Sequence, residues 1–302
     1  MKHIFGPVNS RRFGLSLGVD LSFATKQCNF DCVYCELKPK KATKEQVDIS
    51  SPTEIIDEIK TALQKHKKVD VLTLTANGEP TMYPHLQELI TAINSFKGTT
   101  KTLILSNASK INDEETQEIL CNIDIVKLSL DAVDEQVFKK IDRQHSSIEL
   151  ENIKQGMLVF REKFKGEFVI EILFVKNIND KPEHIKQLNE FCQRLRPHRI
   201  DISTIDRPPA YQVQALQNDE LFALASFFDE SLPLSVAYKK RDTTPVDFSE
   251  EEILDTIKRR PQNEEDTQNL FSPTAQKNLQ NLLHLGKIKK QKRGEDTFFV
   301  LN

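Results

Sequence analysis

The chain has 302 residues, of which 38% are hydrophobic and 29% charged, and its formal net charge is −3. This length can bury one large core, or one core with a small appendage. The composition is that of a soluble globular protein rather than a disordered or fibrous one. The small net charge gives no electrostatic reason to expect a nucleic-acid partner for the whole molecule.

The sequence predicts neither a membrane span nor a secretory signal. No apolar run approaches the ~20 residues that are needed to cross a bilayer. The chain opens with MKHIFGPVNSRRFG, which lacks the apolar core of a secretory signal. We therefore expect a cytoplasmic protein with no membrane partner.

Between about residues 15 and 205, short β-branched runs alternate with amphipathic helical stretches. The first helix is predicted to begin at Ser51 and Pro52, with Glu54 reaching back as a capping box, and a later helix is predicted to open at Asn112. Such alternation is typical of βα units around a parallel sheet. The predicted strands are 17–22, 70–76, 102–107, 124–130, 168–175 and 199–205.

These elements predict an α/β fold. Six parallel strands favour an incomplete parallel (β/α)6 barrel, and a doubly wound open sheet is the competing architecture. In both architectures, ligands bind at the carboxyl ends of the strands. The polar residues at those ends are therefore the ones to search for a site.

The sequence changes in character after a polar linker, Lys239–Pro245. Three short helices are predicted beyond it, at about 249–259, at 263–270 and from Ser272 onward, and a two-stranded hairpin follows. This succession indicates a winged helix. We predict a barrel domain over residues 1–240 and a winged-helix-like domain over 245–302. The basic hairpin suits contact with tRNA or DNA, whereas the acidic second helix favours a protein-interaction role.

Three of the five cysteines, Cys28, Cys32 and Cys35, lie within eight positions. Thiolates are soft ligands that hold iron–sulfur clusters or zinc, and three of them on a short loop can bind three corners of a cubane. A structural zinc site normally needs four ligands. Cys121 and Cys192 lie in apolar stretches that suit a core. An iron–sulfur cluster with one open iron is the favoured interpretation, and zinc is the alternative.

The C-x3-C-x2-C spacing, with Tyr34 just before the last cysteine, resembles the pattern of the radical S-adenosylmethionine (SAM) superfamily. The segment 75–80 ends the second predicted strand, where that family carries a Gly-Gly-Glu motif whose backbone groups hold the amino group of SAM. Gly78 and Glu79 match the motif, and Asn77 replaces its first glycine. The resemblance runs from about residue 5 to residue 210.

Polar residues also stand at or near the ends of later strands. The resemblance implies that Ser129 and Asp131 contact the ribose or the carboxylate of SAM. Glu171 lies inside an apolar strand and must find a partner or face a cavity. An ordinary structural pair or cap is the alternative at each position. The predicted cofactor-binding residues are Tyr34, Asn77, Gly78, Glu79, Ser106, Asn107, Ser129, Asp131, Glu171 and Asn177, and the predicted metal ligands are Cys28, Cys32 and Cys35.

Two further segments, FGPVNSRRFGLSLGVDL near the start and STIDRPPA after the sixth strand, resemble a narrower subgroup. This subgroup is related to the wyosine-type tRNA-modifying synthases. Arg207 is expected at the rim of the barrel mouth, where a guanidinium can bind a carboxylate or a phosphate. A salt-bridged loop arginine is the alternative for Arg207, and the same alternatives apply to Arg11 and Arg12.

The resemblance implies a radical SAM enzyme with a [4Fe–4S] cluster and SAM as cofactors. An electron from a donor such as flavodoxin or ferredoxin cleaves SAM to methionine and a 5′-deoxyadenosyl radical, which takes hydrogen from a tRNA base, a peptide or a small metabolite. Because the cofactors carry this chemistry, the protein residues do not identify the substrate. The alternatives are a nucleic-acid-binding regulator with a redox-sensing iron–sulfur cluster, and a zinc-stabilised interaction protein. A sensor needs no SAM site, so the turn at 75–80 favours the enzyme.

Overall fold

A computed structural model describes residues 2–10, 12–22, 25–236, 245–259, 261–293 and 296–302. The strands are β1 Ile4–Ser10, β2 Gly14–Asp20, β3 Val71–Thr75, β4 Lys101–Ser106, β5 Ile125–Ser129, β6 Glu167–Phe174, β7 Arg199–Thr204, β8 Leu234–Val236, β9 Gln262–Asn263, β10 Ile288–Arg293 and β11 Asp296–Leu301. The helices are α1 Pro52–Lys65, α2 Leu86–Phe96, α3 Glu114–Leu120, α4 Glu135–Ile141, α5 Leu150–Lys163, α6 Pro182–Leu195, α7 Asn218–Ala225, α8 Glu250–Arg259, α9 Glu264–Leu270 and α10 Pro273–His284. A short 3₁₀ turn covers Pro80–Met82.

Eight strands form one sheet in the order β1 to β8. β1 is antiparallel to β2, and the strands from β2 to β8 are all parallel to their neighbours. Each parallel neighbour is the next strand along the chain, so the strand order never reverses as it does in a doubly wound sheet. The predicted α/β class is confirmed, and the mostly parallel sheet is consistent with a partial barrel.

One ion pair shows how strongly the sheet curls. Arg12, on the turn between β1 and β2, places its Nε 3.0 Å from Oδ1 of Asp201 on β7. In a flat sheet, β2 and β7 would be about 24 Å apart, because each strand adds about 4.8 Å. Their meeting therefore requires a curved sheet, with Arg12 and Asp201 inside the curve.

The six predicted strands are all present, and the sheet has two more. β1 was not predicted because Gly6 and Pro7 interrupt its pattern, and its pairing with β2 shifts register between Phe5 and Val8. β8 has only three residues, too few to show a period. Both strands lie at edges of the sheet, where irregular and short strands are tolerated.

The predicted start of α1 at Ser51 and Pro52 is confirmed, but its predicted capping box is absent, and the predicted start of α3 is off by one residue. Ser51 makes no side-chain cap bond at α1, and Glu54 instead accepts a hydrogen bond from Nζ of Lys2 at 2.9 Å. At α3 the cap is Asp113, whose carboxylate accepts from the backbone N–H of Thr116, and not Asn112. Both caps were predicted from local sequence. At α1 a tertiary contact with Lys2 engages Glu54, and at α3 the helix begins one residue later than predicted, a difference that local sequence does not resolve.

The carboxyl-terminal residues form three helices, α8 to α10, and a three-stranded antiparallel sheet in the order β10-β11-β9. Their apolar cluster includes Phe248, Ile253 and Leu279, and it also takes in Val8 of β1. The predicted linker residues 239–244 lie outside the described residues, so the domain limits remain a prediction. In the part of the chain that the structure describes, no helix is both long enough and apolar enough to cross a membrane.

The packing of α5 generates a stability prediction. An added Cβ at Gly156 would lie 2.7 Å from the backbone of Ile111 and Asn112. Alanine is a better helix former than glycine by about 1 kcal/mol, but overpacking against fixed backbone costs about 1–3 kcal/mol. We expect Gly156→Ala to lower the free energy of unfolding, measured by chemical denaturation. Gln155→Ala, at an exposed neighbouring position, is the control and should change little; equal stability of the two variants would contradict the prediction.

Candidate active site

The cysteine loop, residues 25–35, leaves the carboxyl end of β2 and lies against the segment that follows α4. The backbone N–H groups of Asp31 and Val33 donate to the carbonyls of Asp142 and Ile141 at 3.1 and 2.9 Å. These bonds attach the loop to the end of α4, and a turn in which the N–H of Cys35 donates to the carbonyl of Cys32 at 3.1 Å brings the last two cysteines together. The three cysteines are thus presented at the carboxyl edge of the barrel, where ligands bind in such folds.

The turn after β3 pairs directly with the cysteine loop. Gln27 and Gly78 form a parallel bridge, in which the N–H of Gln27 donates to the carbonyl of Asn77 at 2.8 Å and the N–H of Glu79 donates to the carbonyl of Gln27 at 3.2 Å. Gly78 has a φ of +154°, and a Cβ there would lie 2.0 Å from the carbonyl oxygen of Gln27. Only glycine allows this close approach.

Asn77 takes part through its backbone. Its N–H donates to Oδ1 of Asp20 at 2.9 Å, and the same oxygen accepts from the N–H of Ser22 at 3.0 Å. Asp20 therefore joins the ends of β2 and β3. Because these contacts use main-chain atoms, the replacement of the motif's first glycine by Asn77 is compatible with the turn.

Glu79 is buried, with 1% of its surface exposed. Its Oε1 accepts hydrogen bonds from the N–H and the hydroxyl of Thr81 at 2.9 and 2.6 Å and from the hydroxyl of Ser106 at 2.7 Å, and its Oε2 accepts from the N–H of Asn107 at 2.7 Å. Burial raises the pKa of Glu79, and the four donors oppose that rise. The side chain of Glu79 thus fixes the end of β4 against the turn.

Asn107 extends this connection to the cysteines. Its Nδ2 lies 2.9 Å from Oδ1 of Asn29 and 3.7 Å from Sγ of Cys28. Ser106 and Asn107 were predicted as cofactor-binding residues, and the structure brings both next to the turn and the cysteine loop.

Tyr34 belongs to a buried acidic group on the other side of the loop. Its hydroxyl donates to Oδ2 of Asp131, whose Oδ1 accepts from the N–H of Leu173 at 2.7 Å. The neighbouring Asp142 accepts a hydrogen bond from the thiol of Cys32 at 3.4 Å. Burial raises the pKa of both carboxyl groups, as expected when two acids share one site. Asp142 was not predicted, because nothing in its local sequence separates it from an ordinary residue after a helix.

A small cavity opens between the strand ends and the cysteine loop. Three of the predicted cofactor-binding residues, Asn107, Ser129 and Asp131, line this cavity. Asp142 and apolar side chains such as Phe30 complete its walls. Ser129 is therefore brought into the same region as Asn107 and Asp131.

Glu171 and Asn177 have other surroundings. Glu171 lies inside the curve of the sheet and accepts from Nζ of Lys127 at 2.6 Å. Asn177 lies exposed in the turn after β6, with a φ of +65° and its N–H bonded to Asp180. The buried amide is Asn179, which donates to the carbonyl of Asp131 at 3.0 Å. The spacing of the turn, rather than the strand pattern, decides which of the two asparagines is buried.

The segment after β7 lies on the rim of the cysteine loop. The N–H of Ala210 donates to the carbonyl of Cys35 at 2.8 Å, and Arg207 contacts both carboxylate oxygens of Glu36 at 2.9 and 3.0 Å. Arg207 therefore forms a salt bridge within the protein, which was the alternative to its predicted role in binding a carboxylate or a phosphate of a ligand. Arg12 is paired with Asp201 as described above, and Arg11 lies outside the described residues.

A pair of residues on this rim was also missed by sequence reasoning. Asp31 accepts from the hydroxyl of Tyr211 at 2.5 Å and from Nζ of Lys26 at 3.0 Å. Burial opposes the ionised form of Asp31, but these hydrogen bonds outweigh it and lower its pKa. Tyr211 lies 180 residues along the chain from Asp31, so only the folded structure brings them together.

The three thiols suit a cluster by their chemistry and position. Burial raises the pKa of all three, that of Cys28 to about 12, and each of the other two thiols raises the pKa of Cys32 further. Among the described residues, no three Cys, His, Asp or Glu side chains converge on the position of a single metal ion. The cysteines of a cubane each bind a different iron. Cys192 is buried in α6, as expected, whereas Cys121, which was also expected to suit a core, is exposed after α3.

Comparison with known proteins agrees with this arrangement. The model of the radical SAM superfamily matches residues 23–189, which include the cysteine loop and the turn. The chain is 40% identical to a UPF0026 protein of Helicobacter pylori over 98% of this chain and 96% of that protein.

Two solved structures share the fold at 20% identity. One is TYW1 with a lysine-pyruvate adduct bound, with a TM-score of 0.54 over 76% of each chain. The other is Streptococcus suis SuiB bound to S-adenosylmethionine, with a TM-score of 0.56 over 74% of this chain and 51% of that one. The superfamily match spans more than half of the 302 residues and includes the three cysteines and the turn formed by Asn77, Gly78 and Glu79. The chain therefore belongs to the radical SAM superfamily.

Proposed function

We propose that this protein is an enzyme that cleaves SAM reductively at a [4Fe–4S] cluster held by Cys28, Cys32 and Cys35. When bound, the cluster supplies the electron that splits SAM into methionine and a 5′-deoxyadenosyl radical, which abstracts hydrogen from the substrate. The observation that carries this proposal is the pairing of Gln27 with Gly78. It joins the cluster loop and the turn proposed for SAM through two backbone hydrogen bonds. A sensor that bound only a cluster would have no use for that turn.

The chain's own residues would orient SAM beside the cluster. Main-chain groups of the turn formed by Asn77, Gly78 and Glu79 are proposed to bind its amino group. The side chain of Glu79 is proposed to position the turn and the end of β4 rather than to contact SAM, because its carboxylate already accepts four hydrogen bonds. The remaining proposed contacts come from the strands and the acidic group, and they are Tyr34, Ser106, Asn107, Ser129, Asp131 and Glu171. Asn177, which is exposed in the turn after β6, also remains a proposed contact.

The substrate is proposed to be a tRNA base, a peptide or a small metabolite. The strand ends and the rim segment around Arg207 and Tyr211 surround the place where it would enter. The apolar and hydrogen-bonded walls of this region are proposed to keep water away from a reactive intermediate. An electron donor such as flavodoxin or ferredoxin is the proposed redox partner.

The carboxyl-terminal helices and sheet are proposed to be a winged helix that contacts tRNA or a protein. Three helices with a small antiparallel sheet support this assignment. On β10, Lys289 and Lys292 are exposed, whereas Lys290 is paired with Glu264 at 2.6 Å. The exposed lysines leave positive charge for phosphate.

The cluster ligands can be tested by one substitution and its matched control. In Cys32→Ala, a thiolate ligand is lost, so anaerobically reconstituted protein should fall well below the ~4 irons per chain of a [4Fe–4S] cluster. It should also release no 5′-deoxyadenosine from SAM and dithionite. Cys121→Ala removes a thiol outside the loop and should keep both properties. Zinc in place of iron in the wild type, or an active Cys32→Ala, would reject the proposal.

The turn can be tested without touching the cysteines. Gly78→Ala places a methyl group against the carbonyl of Gln27, so we expect 5′-deoxyadenosine formation to fall at least about tenfold while the circular dichroism spectrum is unchanged. A displacement of about 1 Å at a reacting centre is enough for such a loss. Asn77→Gly restores the family motif and should retain activity, because Asn77 contributes its main chain. If Gly78→Ala is fully active, the turn does not hold SAM.

Contact with tRNA is tested on the full chain by the double variant Lys289→Glu, Lys292→Glu. If the hairpin binds phosphate, wild-type affinity should fall with salt, and the variant should lose roughly two units of the log–log salt slope. Lys181→Glu with Lys186→Glu, at exposed positions on and before α6, is the control. Fluorescence anisotropy with tRNA measures both. Salt-independent or absent binding by the wild type would leave protein contact as the role of this region.

A further inference from the structure

The residues that follow the cysteine loop fold back over it. We call residues 37–49 the cover segment. The N–H of Thr43 donates to the carbonyl of Cys28 at 2.8 Å, and Oε1 of Gln27 accepts from the N–H groups of Val47 and Asp48 at 2.7 and 2.8 Å. The cover segment is therefore attached to two residues of the cysteine loop, one of them a proposed cluster ligand.

The cover segment is basic and its charges are free to act. Lys38, Lys40, Lys41 and Lys44 are all exposed, against two acidic residues in the same stretch. None of these four lysines lies in an ion pair among the residues that the structure describes. The whole chain has a net charge of −3, so this is a local positive region on an acidic protein.

Apolar side chains lie in the same stretch. Val47 is 86% exposed and Ile49 is 46% exposed, and both are among the few large hydrophobic residues that stand exposed in the described part of the chain. These two side chains offer apolar surface, in the same stretch as the lysines, that a bound protein could cover. The positive charge of the stretch increases the rate of encounter with an acidic partner.

We propose that the cover segment is the docking surface for an acidic one-electron carrier protein. This inference rests on the proposed function, which needs an electron to reach the cysteine loop. A carrier bound here would be separated from Cys28 by a short path through Thr43 and the hydrogen bond to the Cys28 carbonyl. A small patch with four lysines suits a weak and transient complex, the kind that electron-transfer partners form.

Nucleic acid fits the cover segment less well than an acidic protein does. Its sequence, LKPKKATKEQVDI, contains no aromatic side chain on which a base could stack. Its two acidic residues, Glu45 and Asp48, are exposed and would repel phosphate. An acidic protein surface, in contrast, can place its carboxylates opposite the lysines alone.

The test compares two electron sources in the full-length, cluster-loaded protein. In Lys40→Glu, Lys41→Glu, Lys44→Glu, we expect kcat/KM for 5′-deoxyadenosine formation with reduced flavodoxin to fall at least about tenfold at low salt, since steering raises association rates by 10–10³. With dithionite, which needs no docking, the rate should equal that of the wild type. The wild-type rate with flavodoxin should fall as salt rises, and the variant's should not.

The matched control carries the same charge change on the opposite end of the barrel. Lys67→Glu, Lys68→Glu, Lys165→Glu alters exposed lysines before β3 and β6 and should keep the flavodoxin-supported rate within about twofold of the wild type. An unchanged rate in the cover-segment variant, or an equal loss in both variants, would overturn the proposal.

Zero-length carbodiimide crosslinking to flavodoxin separates this proposal from the proposed function, because it needs no turnover. Crosslinks at Lys38, Lys40, Lys41 or Lys44 support docking even if no 5′-deoxyadenosine forms with dithionite, a result that would reject only the proposed function. Crosslinks confined to other lysines would reject docking. If the cover-segment variant instead keeps its flavodoxin rate and loses affinity for tRNA, the surface binds nucleic acid and the proposal is wrong.

Discussion

The buried carboxylate of Glu79 is the interaction on which the geometry of the site depends. A carboxylate taken out of water is costly unless its oxygens are hydrogen-bonded, and here four donors from three residues supply those bonds. Two of the donors belong to Ser106 and Asn107, so the charge holds the end of β4 against the turn after β3. The backbone of the same residue pairs with Gln27. One side chain thereby couples two strand ends to the cysteine loop.

The parts of the site that sequence could predict are those whose evidence is local. The site can be recognised from short stretches of sequence, namely three cysteines within eight positions and an Asn-Gly-Glu turn at the end of a strand. Asp142 lies 110 residues from Cys32, and no local pattern distinguishes it. The same limit explains why the sequence pointed to Asn177 and not to Asn179, because the geometry of the turn decides which amide is buried. Contacts of this kind are fixed by tertiary structure.

The fold was predictable to the same degree and for a related reason. Long β-branched runs between amphipathic helices are a strong signal, and all six strands they predicted are present. The two strands that the sequence did not predict are β1, which contains a Gly-Pro step, and β8, which has three residues. A singly wound and a doubly wound sheet differ in the order of their strands. The hydrophobic periodicity of a sequence predicts strands but not their order in the sheet. The ion pair between Arg12 and Asp201 reports the curvature that only a folded chain can show.

The charged residues inside the curve of the sheet help to assign the role of Glu171. The sequence was compatible with either a ligand contact or a structural ion pair for this residue. Asp201 is fully buried and lies within 3.1 Å of Lys127, Arg12 and Arg199. Its charge is therefore amply compensated, as a buried ion requires. Among the described residues, Glu171 forms an ion pair with Lys127 alone, and 30% of its side chain is exposed. Because Asp201 already holds Lys127 in place, Glu171 can accept a bond from a ligand without leaving a buried lysine unpaired, and so the two interpretations are compatible.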